Sequence, residues 1–466
     1  MNKLLFLLSL WLAKLISCLI SILHIGQASN FPGKIALKIK KDLIKYFNIN
    51  SSCKIILVTG TNGKSTTCGL LANILKVSGF NVIFNKSGAN LLSGIASMFC
   101  HHSTLFGKLK YDYIVLEVDE ATLPLLTSQI KPHFIAITNF FRDQLDRFGE
   151  LDATVKLIEK GIDQIQDCTL ILNADDYRVA FIKATSTNTR IYYGLEYHTS
   201  EDSHNKEVSW QSDPQEITTC PKCSNPLTFS SKSLAHLGNY KCNKCTLEKP
   251  LPNYLLTNIQ SDHLTINFDI VSLSFTNNKN NFFLPMIGTF NLYNAACAIS
   301  IAKTITNITN VQIQKGLQTY STIFGRGEKI TIHNKTAWIY LIKNPTGTTE
   351  VLRTLVKIPN ARFLIAINDN FADGRDVSWL WDSRFDILSK HKKDIYVSGK
   401  RAYDMALRLK YADYDINKIK VNERIKDSVK EAVGALQEDE ILYILPTYTV
   451  LLEMQRKGLC KNVDKA

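Results

Sequence analysis

The sequence predicts an α/β fold built on a mainly parallel sheet, with a cysteine-bearing insertion and a second, smaller α/β domain after it. Three observations predict it. From residue 54 short β-branched runs alternate with helical patterns, as in strands joined by crossover helices. Residues 200–260 break that rhythm with polar, Asn-, Ser- and Lys-rich sequence holding two C-x-x-C pairs. Beyond residue 325 the alternation resumes. The expected domains are a hydrophobic segment over 1–30, a central domain over 31–324 with its insertion at about 200–260, and a C-terminal domain over 325–466.

Taken in order, the chain opens with "LLFLLSLWLAKLISCLISILHI", interrupted only by Lys14 and His24 and nearly long enough to span a bilayer. Gly26-Gln27-Ala28 offers a small-x-small pattern like a cleavage site. Lys14 in mid-segment speaks against export. The reading is a membrane-associated helix on a cytoplasmic protein, with a single span or a buried helix as alternatives. "KIILVT" (54–59), "NVIF" (81–84), "DYIVLEV" (112–118), "HFIAIT" (133–138) and "TLILN" (169–173) are strand candidates, and "KSTTCGLLANILKVSG" is a helix ended by Gly79. In the last third "FLIAI", "DIYVSG" and "EILYILP" alternate with helices such as "RAYDMALRLKYA".

The composition is that of a globular protein, 45% hydrophobic and 21% charged over 466 residues. A net charge of +13 favours anionic partners without choosing among them. Of eleven cysteines, seven are scattered, which argues against a disulfide framework.

"VTGTNGKSTT" (58–67) lies between a strand and a helix. Gly60 and Gly63 let the backbone N–H groups of Thr61, Asn62 and their neighbours curl about one anion. Lys64 adds a point charge, and Ser65 or Thr66 can hold Mg²⁺. The helix N-terminus favours the same anion. The residues point to ATP or a close relative.

Cys220, Cys223, Cys242 and Cys245 form C-x2-C-x18-C-x2-C, the spacing of a zinc ribbon. Four thiolates close a tetrahedral Zn²⁺ shell and leave no position for a catalytic water, so the site reads as structural.

"GTNGKST" resembles the phosphate loop of the Mur ligases and folylpolyglutamate synthases, which join an amine to a carboxylate through an acyl phosphate. Further blocks follow in the family's order: "LEVDEA", "ITNFFRDQLDRFGE", "NADD", "GTFNLYNAACA" and "FGRGE". The resemblance implies that Glu117 binds Mg²⁺ with Ser65. It implies too that Asn139, Asn291 and Arg326 serve the nucleotide, Arg326 from across a domain junction. Asn139 and Asp143 fall in register with the family's T-N-x-x-x-D-H-x-D block. Gln144 and Phe290 stand where the family has His, which changes the expected metal shell. Lys156 lies near the position of the carbamylated lysine many members carry; a solvated helix lysine is the simpler reading. "KNPTG" (343–347) is either a helix start at Pro345 or a nucleotide or substrate contact.

The inserted ribbon, with "NDNFADGRDVSWLWD" (368–382), "SGKRAYDMALRLKYA" and "ILPTYTVLL", resembles the MurT branch, the synthetase subunits of lipid II isoglutaminyl synthase. That implies a Mur ligase-like central ATPase domain, a Rossmann-like C-terminal domain, and ATP-dependent amidation of the D-isoglutamate α-carboxylate of the lipid II stem peptide. The implied partner is a GatD-like glutaminase subunit in a heterodimer or higher assembly, with no nucleic acid. The setting is the inner face of the membrane. No G-x-C-x-G elbow occurs in the sequence, so ammonia must come from another chain. In the family an aspartate of the 368–382 block completes the partner's Cys–His pair. Asp376 is the expected one, Asp373 the alternative, and Trp379 and Trp381 are expected interface anchors. Two competing readings stay open: a stand-alone amide ligase, and a zinc-ribbon NTPase that binds nucleic acid, which the lack of aromatic interleaving in the ribbon disfavours.

Overall fold

A computed structural model describes residues 2–22, 30–85, 89–141, 151–196, 218–261, 265–272, 281–305, 308–322, 325–459 and 461–462. The expectations for Gly26-Gln27-Ala28, Asp143 and Gln144 lie outside the described residues.

Six strands form the parallel heart of the central sheet: Lys54–Thr59 (β1), Val82–Phe84 (β2), Tyr113–Glu117 (β3), Phe134–Ile137 (β4), Thr169–Asn173 (β5) and Thr189–Leu195 (β6). Their spatial order is β6-β5-β4-β1-β3-β2. Their apolar runs have a reason: helices cover both faces, so alternate residues must suit two cores. In β1, Ile56 and Val58 enter one core, while Ile55 and Leu57 enter the other. The insertion contributes a separate hairpin, Leu227–Leu234 (β7) and Leu237–Cys242 (β8). Strands Tyr254–Ser261 (β9), Ile266–Ser272 (β10) and Asn281–Leu284 (β11) then extend the sheet beyond β6, β9 in parallel and the last two antiparallel.

Arg326–Ile332 (β12), Lys335–Tyr340 (β13), Ala361–Ala366 (β14), Ile395–Ser398 (β15), Ile419–Val421 (β16), Ile441–Pro446 (β17) and Lys461–Asn462 (β18) make a second sheet, ordered β16-β15-β14-β17-β13-β12-β18. From β16 to β13 it is parallel, and β12 and β18 close one side antiparallel. Phe363 and Ile365 face one core of this sheet, Leu364 and Ala366 the other.

The N-terminal segment is one helix, Asn2–Ile22 (α1), long and apolar enough by length and composition to cross a membrane. Only one stripe of it, Phe6, Ser9, Leu10 and Ala13, packs into the protein, while Leu4, Leu8, Trp11, Leu15, Leu19 and Ile22 are exposed. Lys14 turns back to the body and donates to the Ser103 carbonyl at 2.6 Å, and Trp11 Nε1 donates to Leu105 O at 2.8 Å.

Candidate active site

The phosphate loop sits at the C-terminal end of β1, where open parallel sheets place their ligands. Helix Lys64–Val77 (α2) starts from it. Gly60 and Gly63 have φ of 117° and 87°, and a Cβ on Gly63 would lie 2.0 Å from Asn294 Oδ1. A side chain there would drive the loop off the helix Thr289–Ile305 (α3) that backs it. Asn139, just past β4, fastens the loop in both directions: its Oδ1 accepts from Asn62 N–H at 2.9 Å and its Nδ2 donates to Asn62 O at 3.1 Å.

Lys64 is buried. Its ammonium donates to Gly60 O and lies 3.0 Å from Glu120 Oε1. Ser65 Oγ donates to Glu117 Oε2 at 2.6 Å, and Asn90 Nδ2 approaches the other oxygen of Glu117 at 3.3 Å. Burial disfavours the charge on Lys64, but Glu120, Asp119 and Glu117 outweigh it and hold its pKa above the ordinary lysine value. Burial, helped by Asp119 and opposed by Lys64, raises the pKa of Glu120. Three buried carboxylates thus face one buried lysine. An excess of carboxylate oxygen beside a phosphate loop is the donor set of Mg²⁺, so Ser65 and Glu117 fit the metal role expected of them.

The loop opens into a cleft whose far wall is the C-terminal domain; Asn62, Gly63 and Asn139 line one side, Arg326, Lys343 and Asn344 the other. Arg326 opens β12, where the Gly325 N–H donates to Glu328 Oε2 at 2.7 Å, the local reason for the G-R-x-E spacing. Asn344 caps the helix Pro345–Leu355 (α4) by accepting from Gly347 N–H at 2.8 Å. Its Nδ2 also donates to Asn62 Oδ1 at 3.1 Å, so the "KNPTG" element starts a helix and touches the phosphate loop. Asn291 and Thr66 line the same cleft, as does half-buried Phe290. Lys156 is exposed on its helix, in keeping with a solvated lysine.

The four ribbon cysteines converge, with their sulfurs all within 4.8 Å of one another and the pairs Cys220–Cys245 and Cys223–Cys242 at 3.6 and 3.5 Å. A tetrahedral shell with Zn–S near 2.3 Å has edges of roughly 3.8 Å, so the cluster could hold a metal ion without rearrangement. Lys244 N–H and Asn225 Nδ2 point at Cys242 and Cys223 sulfurs, which suits thiolates.

The aspartate block follows β14, and its members differ. Asp373 is buried and accepts from Thr449 N–H and its hydroxyl, a structural commitment. Asp376 is half-buried and accepts only locally, from Ser378 N–H at 2.8 Å and Ser378 Oγ at 2.9 Å. The expectation of two exposed indoles needs correction: Trp379 is packed in the domain core because its short helix turns it inward, and Trp381 alone is exposed, edge-on to Tyr411.

Sequence reasoning missed Asp119, Glu120 and the Asn344–Asn62 bond. A run of three acids in four positions straight after a buried strand was the available signal for the first two. Nothing in the sequence joined residues 62 and 344.

Fold and site together define a Mur ligase. The Mur ligase middle domain matches residues 58–243 and the MurT ligase C-terminal domain residues 341–451. The chain is 33% identical over 443 residues to the "Lipid II isoglutaminyl synthase (glutamine-hydrolyzing) subunit MurT" of Streptococcus pneumoniae, covering 93% of this chain and 92% of that one. The Staphylococcus aureus protein of the same name is 32% identical over 431 residues, 92% of each chain. The chain belongs to the MurT family. Its fold also matches a pseudomurein peptide ligase type C from Methanothermus fervidus (TM-score 0.65, 22% identity, 90% of this chain and 80% of that one) and MurF from Acinetobacter baumannii (TM-score 0.63, 16% identity, 91% and 80%).

Proposed function

We propose that this chain is the synthetase subunit of a lipid II isoglutaminyl synthase. The α-carboxylate of D-isoglutamate in the stem peptide attacks the γ-phosphate of ATP, releasing ADP and leaving an acyl phosphate. Ammonia then adds to the acyl carbon, phosphate leaves, and one proton is lost to give D-isoglutamine. The observation that carries this reading is the cleft, in which Asn62, Gly63 and Thr66 of the phosphate loop and its helix face Arg326 of the other domain, with the Lys64 ammonium buried under the loop at Gly60 O. Phosphoryl transfer needs charge neutralisation and alignment more than covalent help, and these residues supply both. Ser65 and Glu117 would hold Mg²⁺, which neutralises phosphate charge. The four cysteines would hold Zn²⁺ as a structural ion.

The ammonia comes from a partner glutaminase of the GatD kind. The block around Asp376 suits docking, for Phe371 and Trp381 are exposed within it and Trp381 meets the exposed Tyr411. Asp376 would orient the imidazole of the partner's Cys–His pair. The substrate is lipid-linked, and α1 supports work at the membrane surface. Its exposed leucines adjoin Leu105 and Phe106 in the loop it is tethered to, and the first 41 residues hold six lysines and no acid. An in-plane helix on an anionic surface fits Lys14 folded back to the body better than a span does.

The test is purified chain with ATP, Mg²⁺, lipid II and an ammonium salt. The stem peptide should lose the mass difference between a hydroxyl and an amino group. Turnover with an amino acid and none with ammonium would instead make it a stand-alone ligase.

A further inference from the structure

The cysteine hairpin runs from the metal-ligand cluster to the nucleotide cleft. β7 covers seven residue steps, about 23 Å at 3.3 Å per step, with its start beside the cysteines and its end at Leu234. Leu234 is buried and lines the cleft beside Phe141, Phe290 and Tyr293. Just before it, Ser233 Oγ shares a 2.7 Å hydrogen bond with the Tyr293 hydroxyl, which also bonds Asp175 Oδ2 at 2.8 Å.

Several bonds fasten the hairpin at this place. Gly238 N–H donates to Asp175 O at 2.9 Å, and the Tyr240 hydroxyl donates to Ala174 O at 3.0 Å. Lys249, just past the second cysteine knuckle, lies 2.6 Å from the fully buried Asp175 carboxylate. His236, in the hairpin turn, packs edge-on against Phe141 with ring centres 5.0 Å apart. The central domain alone would leave Asp175 without its lysine and the cleft without one apolar wall.

We infer that Leu234 is a binding residue for the nucleobase of ATP, and that the cysteine ribbon is the brace that holds it there. A purine presents flat apolar faces as well as polar edges, and its site needs an apolar wall a short reach from the phosphate loop. Leu234, Phe290 and Tyr293 form such a wall in the cleft that Asn62 and Thr66 also line. Cysteine chemistry at one end of the hairpin thereby sets nucleotide affinity at the other. This rests on the ATP reading of the cleft given above.

The experiment is calorimetric titration of the full chain with ATP, paired with KM and kcat for ATP in ammonium-driven amidation. Leu234→Ala should weaken ATP about tenfold, the scale for lost apolar contact in a pocket, with kcat at saturating ATP nearly unchanged. Leu234→Met should restore most of the affinity, and Leu125→Ala, exposed and outside the cleft lining, should change nothing. Stripping the ribbon with a chelator should weaken ATP in the same direction while the far-ultraviolet spectrum of the main sheet persists. Should Leu234→Ala fail to fold, Ser233→Ala reads the same wall, with a few-fold loss expected. Unchanged ATP affinity in folded Leu234→Ala or Ser233→Ala, or a loss confined to kcat, overturns the inference. Failure of the unaltered chain to bind ATP sinks the reading of the cleft itself.

Discussion

The ammonium of Lys64 lies 3.0 Å from a carboxylate oxygen of Glu120, with both side chains almost sealed from solvent. The lysine proposed to meet the phosphates is thus paired with an internal anion, with which a nucleotide would have to compete.

Replacing Lys64 by Met should cut ammonium-driven amidation by at least a hundredfold. It should also destabilise the central domain by about 3–5 kcal/mol, since buried carboxylates lose their cation. The pKa of Lys64 is raised, so its stabilising charge is fully present below the ordinary lysine value and is lost only as pH climbs beyond it. Activity against pH should therefore show no Lys64 titration near neutrality. Denaturant melts and initial rates check both claims, and a Met variant with a tenth of normal activity would refute the role.

Asn344 does two jobs that one substitution separates. Asn344→Asp keeps an acceptor for Gly347 N–H, and so the helix cap, but loses the donor to Asn62. KM for ATP should rise with little change in melting temperature. Asn344→Ala loses both and should melt lower, at about 1 kcal/mol for a lost cap. Equal KM in the two variants and the native chain would show that the interdomain bond is idle.

Asp376→Asn should leave ammonium-driven amidation intact and depress glutamine-driven amidation with the partner subunit by about two orders of magnitude, as a mispositioned imidazole does. Asp373→Ala should instead lower stability by about 1–3 kcal/mol, because Thr449 loses its acceptor. Parallel assays with the two nitrogen sources decide between the aspartates.

Burial, with Arg362 and Lys393 nearby, pushes the pKa of His391 down to about 4. Between its ordinary value near 6.5 and about 4 the unfolded chain takes up a proton that the folded one refuses. The C-terminal domain should therefore lose stability as pH falls through that window. His391→Phe should flatten the dependence, since His391 already packs edge-on against Phe363. Thermal melts at pH 7 and pH 5 measure it, and an unchanged slope would count against the buried neutral imidazole.

Phe106→Asp and Leu15→Glu, both at exposed positions, should reduce sedimentation with vesicles containing phosphatidylglycerol while leaving the fold intact. Binding that ignores both changes and the lipid charge would remove α1 and its tethering loop from the membrane-contact role.

The sheet was legible because strands covered on both faces leave few residues uncommitted, as in "KIILVT", where every second residue answers to a different core. The cysteine cluster was legible because thiolate spacing constrains geometry locally. Glu120 was not, since its meaning depends on the turn after β3 bringing it back over a loop 56 positions earlier. Trp379 and Trp381 looked alike in sequence. A four-residue helix, Trp379–Asp382, decides that one is core and the other surface, and so short a helix leaves no periodicity to read.

The cleft is walled by residues of both domains, so its occupant also acts as mortar. A nucleotide present at a hundred times its dissociation constant adds about 2.7 kcal/mol to whatever must come apart before it can leave. In a cell rich in ATP the two halves should then melt as a single cooperative body. In nucleotide-poor buffer the same chain should come apart in two steps, and starvation would make it a softer target for proteases.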